Sequence, residues 1–379
     1  MRRREFIALL GSAVATRSLA VRAQQPAMPV VGFLGSRSLE DSVNLVAAFR
    51  AGLGETGFVE GRNVIIDFRW AEGHYERLAA LSAELVARRV SVIAAPGGIA
   101  AGLAAKAAST KIPIIFLTGA DPIEFGLVSN FSRPEANLTG VAILTNMLAP
   151  KQLELLHEVA PSARDVAFLV NPKNPIAESD TRDLKSAAKA TGQQILVFNA
   201  STEGDIDSAF AALIDQHAGA VLVQSDPLFN SQPSKIVALA ARHAIPAIYQ
   251  WRDFVVAGGL MSYGTVLADA YRQVGVYAGK ILNGTKPGDL PANRRTFSST
   301  DHGGGKRRKA SMPIESWSFG LDHAPSLCQG LRLPFRRSDD LLRERCEQLL
   351  RLLVLVHREH PRVIPEVLEH RIKRRTFQQ

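Results

Sequence analysis

From Pro29 to Gly264 short apolar runs alternate with longer segments of helical spacing, and this rhythm limits the possible folds more than any other feature. Val30-Val31-Gly32-Phe33-Leu34 is apolar throughout, so both its faces need cover, as in a strand inside a parallel sheet. A helix is expected over 41–53, where Val43, Val46, Phe49 and Leu53 share one side. Strand 63–69, helix 75–89, strand 90–95, helix 99–108 and strand 112–117 complete a first series. The order restarts near Pro150 with helix 151–159, strand 165–170, helix 177–191, strand 194–198, helix 205–216, strand 220–224, helix 234–243 and strand 246–249. Repeated βα units give an α/β fold with parallel sheets, and two successive series give two Rossmann-like lobes. The lobes are expected at 29–148, with a return segment 264–291, and at 149–263. The stretches 137–141 and 259–264 are expected to be the crossovers between them.

The chain of 379 residues has a formal net charge of +9, which invites a nucleic-acid partner until the charge is located. Residues 1–23 hold five Arg and one Glu, and 292–379 hold 18 basic against 10 acidic residues. The body between them holds 22 basic and 25 acidic residues, so it offers no electrostatic footprint for a phosphate backbone. Both cysteines, Cys328 and Cys346, also lie in the last segment, which removes thiol nucleophiles and thiolate metal sites from the body.

The first 23 residues read as an export signal, cleaved after Ala23. Arg2-Arg3-Arg4 supplies the positive start, 6–14 an apolar stretch too short to span a bilayer, and Val21-Arg22-Ala23 a small-residue cleavage site. Arg3-Arg4-Glu5-Phe6-Ile7 further matches the twin-arginine pattern, with general secretion as the other route. The mature protein is therefore expected in the periplasm.

Ligands of parallel sheets bind beyond the carboxyl ends of the strands, so the loops that follow each strand are the candidate site. They contain Ser36 and Ser38, Gly97 and Gly98, Thr118 and Asp121, Asn171 and Asn174, Asp226, and Tyr249 near Trp251, with Tyr263 as a further wall. Small hydroxyls, amides and glycines hydrogen-bond a small polar solute, and aromatic rings give it apolar walls. Asp121 and Asp226 are the candidates to meet a ligand ammonium across a cleft. The same residue types also start turns and cap helices, so each has a purely structural reading too. The body contains no G-x-S-x-G, P-loop or H-E-x-x-H motif, and its four histidines fall on expected helices or their ends. No metal site or catalytic residue is expected.

Several segments carry a resemblance: Ala23-Gln24-Gln25-Pro26, Val30 to Gly35, Thr118-Gly119-Ala120-Asp121-Pro122, Asn137-Leu138-Thr139-Gly140 and Gly259 to Gly264. They resemble the ABC-transporter substrate-binding family whose characterised members bind aromatic amino acids, the tryptophan-binding lipoprotein group. The resemblance runs from Met1 to about Pro291. It implies a type I periplasmic-binding architecture, a hinged cleft, no cofactor, a monomer that captures a small amino-acid-like ligand, and delivery to an ABC permease and its ATPase. Two other readings remain: a ligand-sensing protein of the same fold without a transporter, and an α/β enzyme with Asp121 or Asp226 as its base.

After Pro291 the resemblance stops, where the family continues with an extended segment and a final helix. The chain turns basic and gains both cysteines, as a shifted or fused reading frame would, or a genuine basic appendix. Residues 292–379 are then expected to be poorly ordered, except for a helix over 339–360. For the leader, replacing Arg3 and Arg4 by Lys is expected to leave precursor in the cytoplasm. Normal export of that double variant, read by fractionation, would exclude the twin-arginine route.

Overall fold

The computed structural model describes residues 28–134, 137–294 and 317–319. The leader, both cysteines and the expected helix at 339–360 lie outside the described residues. Five parallel strands open the first lobe: β1 (Val30–Gly35), β2 (Ile65–Trp70), β3 (Val92–Ala95), β4 (Ile114–Thr118) and β5 (Leu138–Ala142). Helices α1 (Val43–Gly54), α2 (Leu78–Ala87) and α3 (Gly98–Ala108) connect them. The second lobe repeats the plan with β6 (Asp165–Val170), β7 (Gln194–Asn199), β8 (Ala220–Val223), β9 (Ala247–Tyr249) and β10 (Met261–Tyr263). Its helices are α4 (Ala149–Val159), α5 (Ala177–Thr191), α6 (Glu203–Asp215), α7 (Pro227–Asn230), α8 (Pro233–Arg242) and α9 (Arg252–Val256). The chain then returns through α10 (Leu267–Leu282), which packs along α1 of the first lobe.

Alternation within the strands explains why they are apolar throughout. Val31 and Phe33 of β1, Val92 and Ala94 of β3, and Ile115 and Leu117 of β4 enter one buried cluster, with Phe49, Leu53 and Val274 of α1 and α10. Leu34, Ile93, Ile114 and Phe116, from the opposite faces, join Leu81 and Leu85 of α2 and Ala101 and Ala105 of α3. The second sheet splits in the same way, Ala167 and Leu169 of β6 to one side, Val166 and Phe168 to the other. Helices thus cover both faces of each sheet, which is the condition under which parallel strands are stable.

Both sheets have the same strand order, β5-β4-β3-β1-β2 and β10-β9-β8-β6-β7, each extended at its first-named edge by one further strand. The stretches expected to be crossovers are therefore the last parallel strands, β5 and β10, and the chain changes lobe just after each. Their glycines suggested loops, but Gly140 is in β5 because the Phe116 backbone and ring occupy the space a side chain would need. Gly264, directly after β10, likewise lies against the Gln250 backbone.

The extra strands come from beyond Pro291. β11 (Asn293–Arg294) pairs parallel with β5, and β12 (Trp317–Phe319) pairs antiparallel with β10. An edge strand is held by main-chain groups, so it can form with little demand on side-chain identity. Ending the chain at Pro291 removes both strands and exposes the edges of β5 and β10. The shortened chain is expected to melt several degrees below the full one by circular dichroism; equal melting would mean that the two strands contribute nothing to stability.

Candidate ligand-binding cleft

The carboxyl ends of the two sheets face each other, and the loops that leave them enclose a cavity of about 100 Å³. From the first lobe it is lined by Ser36 and Arg37 after β1, Tyr75 after β2, Pro96 to Ala100 after β3, and Thr118 to Ala120 after β4. The second lobe adds Asn174 and Ile176 after β6, Ser225, Pro227 and Asn230 after β8, and Trp251 after β9. Thr145 lies in one crossover, and Tyr271 on the returning helix α10 completes the wall.

Arg37 carries the charge of this cavity. Its Nη2 donates to the Asn230 carbonyl of the opposite lobe at 2.9 Å, while its buried Nε has no partner. The Trp251 indole Nε1 is a second buried donor without an acceptor. Helix α3 begins here too, with Gly97 at its N-cap position and no side chain capping its first amides. Gly98 has φ of 82°, a left-handed conformation that glycine adopts without strain, and a Cβ on Gly97 would strike Ser36. The partial positive charge of a helix N-terminus adds to that of Arg37. Among the described lining residues there is no Asp or Glu. A site of this composition stabilises an anionic group and leaves the rest of the solute against aromatic rings.

The expected site residues divide between the cavity and the framework behind it. Ser36, Gly97, Gly98, Thr118 and Asn174 line the cavity. Thr118 also accepts from the Ala120 amide at 3.0 Å, and Ser36 donates to the Gly97 carbonyl. Ser38 lies outside it, exchanging hydrogen bonds with Asp41 at the start of the next helical turn. Asp121 is also outside, its Oδ1 accepting from the Ile123 amide at 2.8 Å in a local turn. Tyr249 is buried and stacked on Phe254 with ring centres 4.5 Å apart, and burial pushes its hydroxyl pKa up. Tyr263 sits in the core of the second lobe, and its carbonyl accepts from Gln152.

Asp226 and Asn171 form the framework directly behind the cavity. One Asp226 oxygen accepts from the Leu228 amide at 2.9 Å and from Asn171 Nδ2 at 3.1 Å. The other accepts from Asn174 Nδ2 at 2.8 Å and from the Tyr75 hydroxyl of the opposite lobe at 2.7 Å. With four protein donors the carboxylate has no need of a ligand ammonium. Desolvation still outweighs these bonds and raises its pKa, and burial beside Asp226 raises that of Tyr75 well above the usual phenol value.

Tyr75, Tyr271 and Asp180 were not singled out in the sequence, because each lies on a helical turn rather than directly after a strand. Asp180, in the first turns of α5, is held at one oxygen by Gln224 Nε2 at 2.8 Å, and its Oδ1 is buried without a partner. Burial is the main cause that pushes its pKa up to about 6, with Asp183, Glu124 and Asp226 adding repulsion.

Two lobes of matching topology closed over a small cavity are the architecture of the type I periplasmic binding proteins. Residues 30–300 match the family described as ABC transporter substrate binding protein, and the chain belongs to it. A tyrosine-binding protein of Clostridioides difficile is 26% identical over 243 residues, 64% of this chain and 69% of that protein. An ABC domain of Streptococcus pneumoniae, solved in complex with L-Trp, is similar in fold with a TM-score of 0.62 and 24% identity, over 71% of this chain and 89% of that one. A conserved domain protein of Vibrio cholerae gives a TM-score of 0.65 at 23% identity, over 71% of this chain and 90% of that one. Among the described residues no helix is long and apolar enough to cross a membrane, and no group of three or more His, Cys, Asp or Glu could hold a metal ion.

The raised pKa of Asp180 makes a test of this geometry. Between pH 4 and about 6 the folded chain holds a proton that the unfolded chain has released, so this group costs stability as pH rises through that window. Asp180→Asn is expected to be more stable than the parent above pH 7, by about 2–3 kcal/mol at most, and to lose that advantage near pH 4. Thermal melts across pH check this; an advantage independent of pH would place the charge of Asp180 in solvent.

Proposed function

We propose that this protein is the exported solute receptor of an ABC importer, binding an aromatic, amino-acid-like carboxylate between its lobes and presenting it to a membrane permease and its ATPase. The observation that carries this reading is the pair of buried, unpaired donors, Arg37 Nε and Trp251 Nε1, in a cavity with no carboxylate among its described lining residues. A ligand carboxylate would satisfy Arg37 and the first amides of α3, and its ring would rest among Tyr75, Trp251 and Tyr271. The likeness to a tyrosine-binding protein and to a domain solved with L-Trp supports the same ligand class. Export rests on the leader at 1–23, and delivery to a permease rests on membership of the family. The protein would act as a monomer without cofactor or chemistry of its own, through closure that the ligand favours because it touches both lobes only when they meet.

Calorimetric titration of the full chain with L-tryptophan, L-tyrosine and L-phenylalanine tests this. At least one is expected to bind, and Arg37→Ala is expected to weaken that binding roughly 10- to 100-fold, the loss of a charge-assisted hydrogen bond. Failure of all three to bind, or an unchanged affinity in the variant, would refute the reading.

A further inference from the structure

A second, smaller cavity of about 30 Å³ adjoins the cleft, and Thr145, Ile176 and Ser225 line both. Its polar lining includes Asp180 from α5, Gln224 after β8 and Gln250 after β9, all from the second lobe. Two buried atoms of these side chains have no partner, Asp180 Oδ1 and Gln250 Nε2.

The bonds around them fix which atom is which. Gln152 Nε2 donates to the Tyr263 carbonyl at 2.8 Å and also to Gln250 at 3.0 Å, so the Gln250 atom facing Gln152 is its oxygen and the free one is its nitrogen. Gln224 accepts from the Asn171 amide through its oxygen, so its nitrogen faces Asp180 Oδ2. Two residues that line the annex therefore carry one unpaired acceptor and one unpaired donor, both buried. An ammonium would leave the Gln250 donor unmatched, a carboxylate would meet the Asp180 charge, and an apolar group would leave both atoms bare. A hydroxyl answers both, donating to Asp180 and accepting from Gln250. A cavity for a water must offer about 10–15 Å³, so the annex has room for one such group and little more.

We propose that this annex receives a hydroxyl on the ligand's ring, so that the cleft selects a hydroxylated aromatic carboxylate over the same compound without the hydroxyl. The inference rests on the aromatic-carboxylate reading above and adds its selectivity. With the carboxylate held by Arg37 and α3 of the first lobe, the hydroxyl is held by the second, and the ligand bridges the two.

Titration calorimetry of the full chain with L-tyrosine and L-phenylalanine is the test. The parent protein is expected to bind L-tyrosine roughly tenfold or more tightly than L-phenylalanine, because loss of the hydroxyl strands two buried polar atoms. Asp180→Asn turns the free acceptor into a donor, since Gln224 claims the remaining oxygen, and is expected to bring the ratio close to one. Gln250→Met removes the donor and should shrink the ratio as well, which keeps the test intact if the first variant does not fold. Equal binding of both amino acids by the parent overturns this proposal and leaves the ligand class standing. Binding of neither overturns this proposal, and the ligand class falls with it when L-tryptophan fails to bind as well. A preference that survives in the variants would assign the annex to a buried water and overturn the proposal.

Discussion

Asp226 is a fully buried carboxylate, and the way its charge is accommodated fixes the geometry around it. A carboxylate taken out of water is tolerated only when its oxygens are met by donors. Those donors come from its own helical turn at Leu228, from Asn171 and Asn174 in the loop after β6, and from Tyr75 in the opposite lobe. One side chain thus ties two loops of the second sheet to each other and to the first lobe. The position of Asn174, Ser225 and Pro227 on the cavity wall follows from it. The direction of its pKa shift shows that the four bonds do not fully offset desolvation, so this is a costly anchor, retained at a point where two lobes must register.

The fold was legible because burial on both faces imposes a continuous apolar run, and the helices between runs have their own period. It failed where a strand did not look like one. Gly140 and Gly264 are the residues that turn-seeking rules mark as loops, yet each is there because a neighbouring chain approaches too closely for a side chain. β11 and β12 were missed for a different reason. They are very short edge strands, and their pairing is a property of the exposed backbone of β5 and β10 rather than of their own side chains.

The site was legible in place more than in role. Searching the ends of strands found the cavity, because parallel strands bring all their carboxyl ends to one side of a sheet. It could not tell Thr118 from Asp121, since a side chain that lines the cavity and one that only holds a local turn are drawn from the same residue types. Asp226 looked like a ligand carboxylate because sequence shows the charge and not the four donors that surround it. Arg37 stands between Ser36 and Ser38 in the loop after β1, but its reach to Asn230 across the cleft depends on the length of its side chain and on lobe placement. Tyr271 belongs to a helix that leaves the second lobe to pack on the first, a contact that local pattern does not encode.

The division of labour between the lobes bears on how closure responds to a solute. The first lobe supplies Arg37 and the amino end of α3, a fixed positive field; the second supplies Trp251 and the polar annex beside it. Protein contacts alone already join the lobes, through Tyr75 to Asp226 and through Arg37 to Asn230. Such contacts lower the cost of closing, but a receptor that closes well when empty loses the signal that tells a loaded protein from an empty one. A ligand shifts the equilibrium only by its differential affinity for the closed state. On the proposed reading, the unpaired Arg37 Nε, Trp251 Nε1 and Asp180 Oδ1 would supply that difference: closure without a solute would leave all three without partners, and closure around one that fits would satisfy them. The empty closed state would thereby be penalised at the positions a solute would fill, and loading would relieve the penalty.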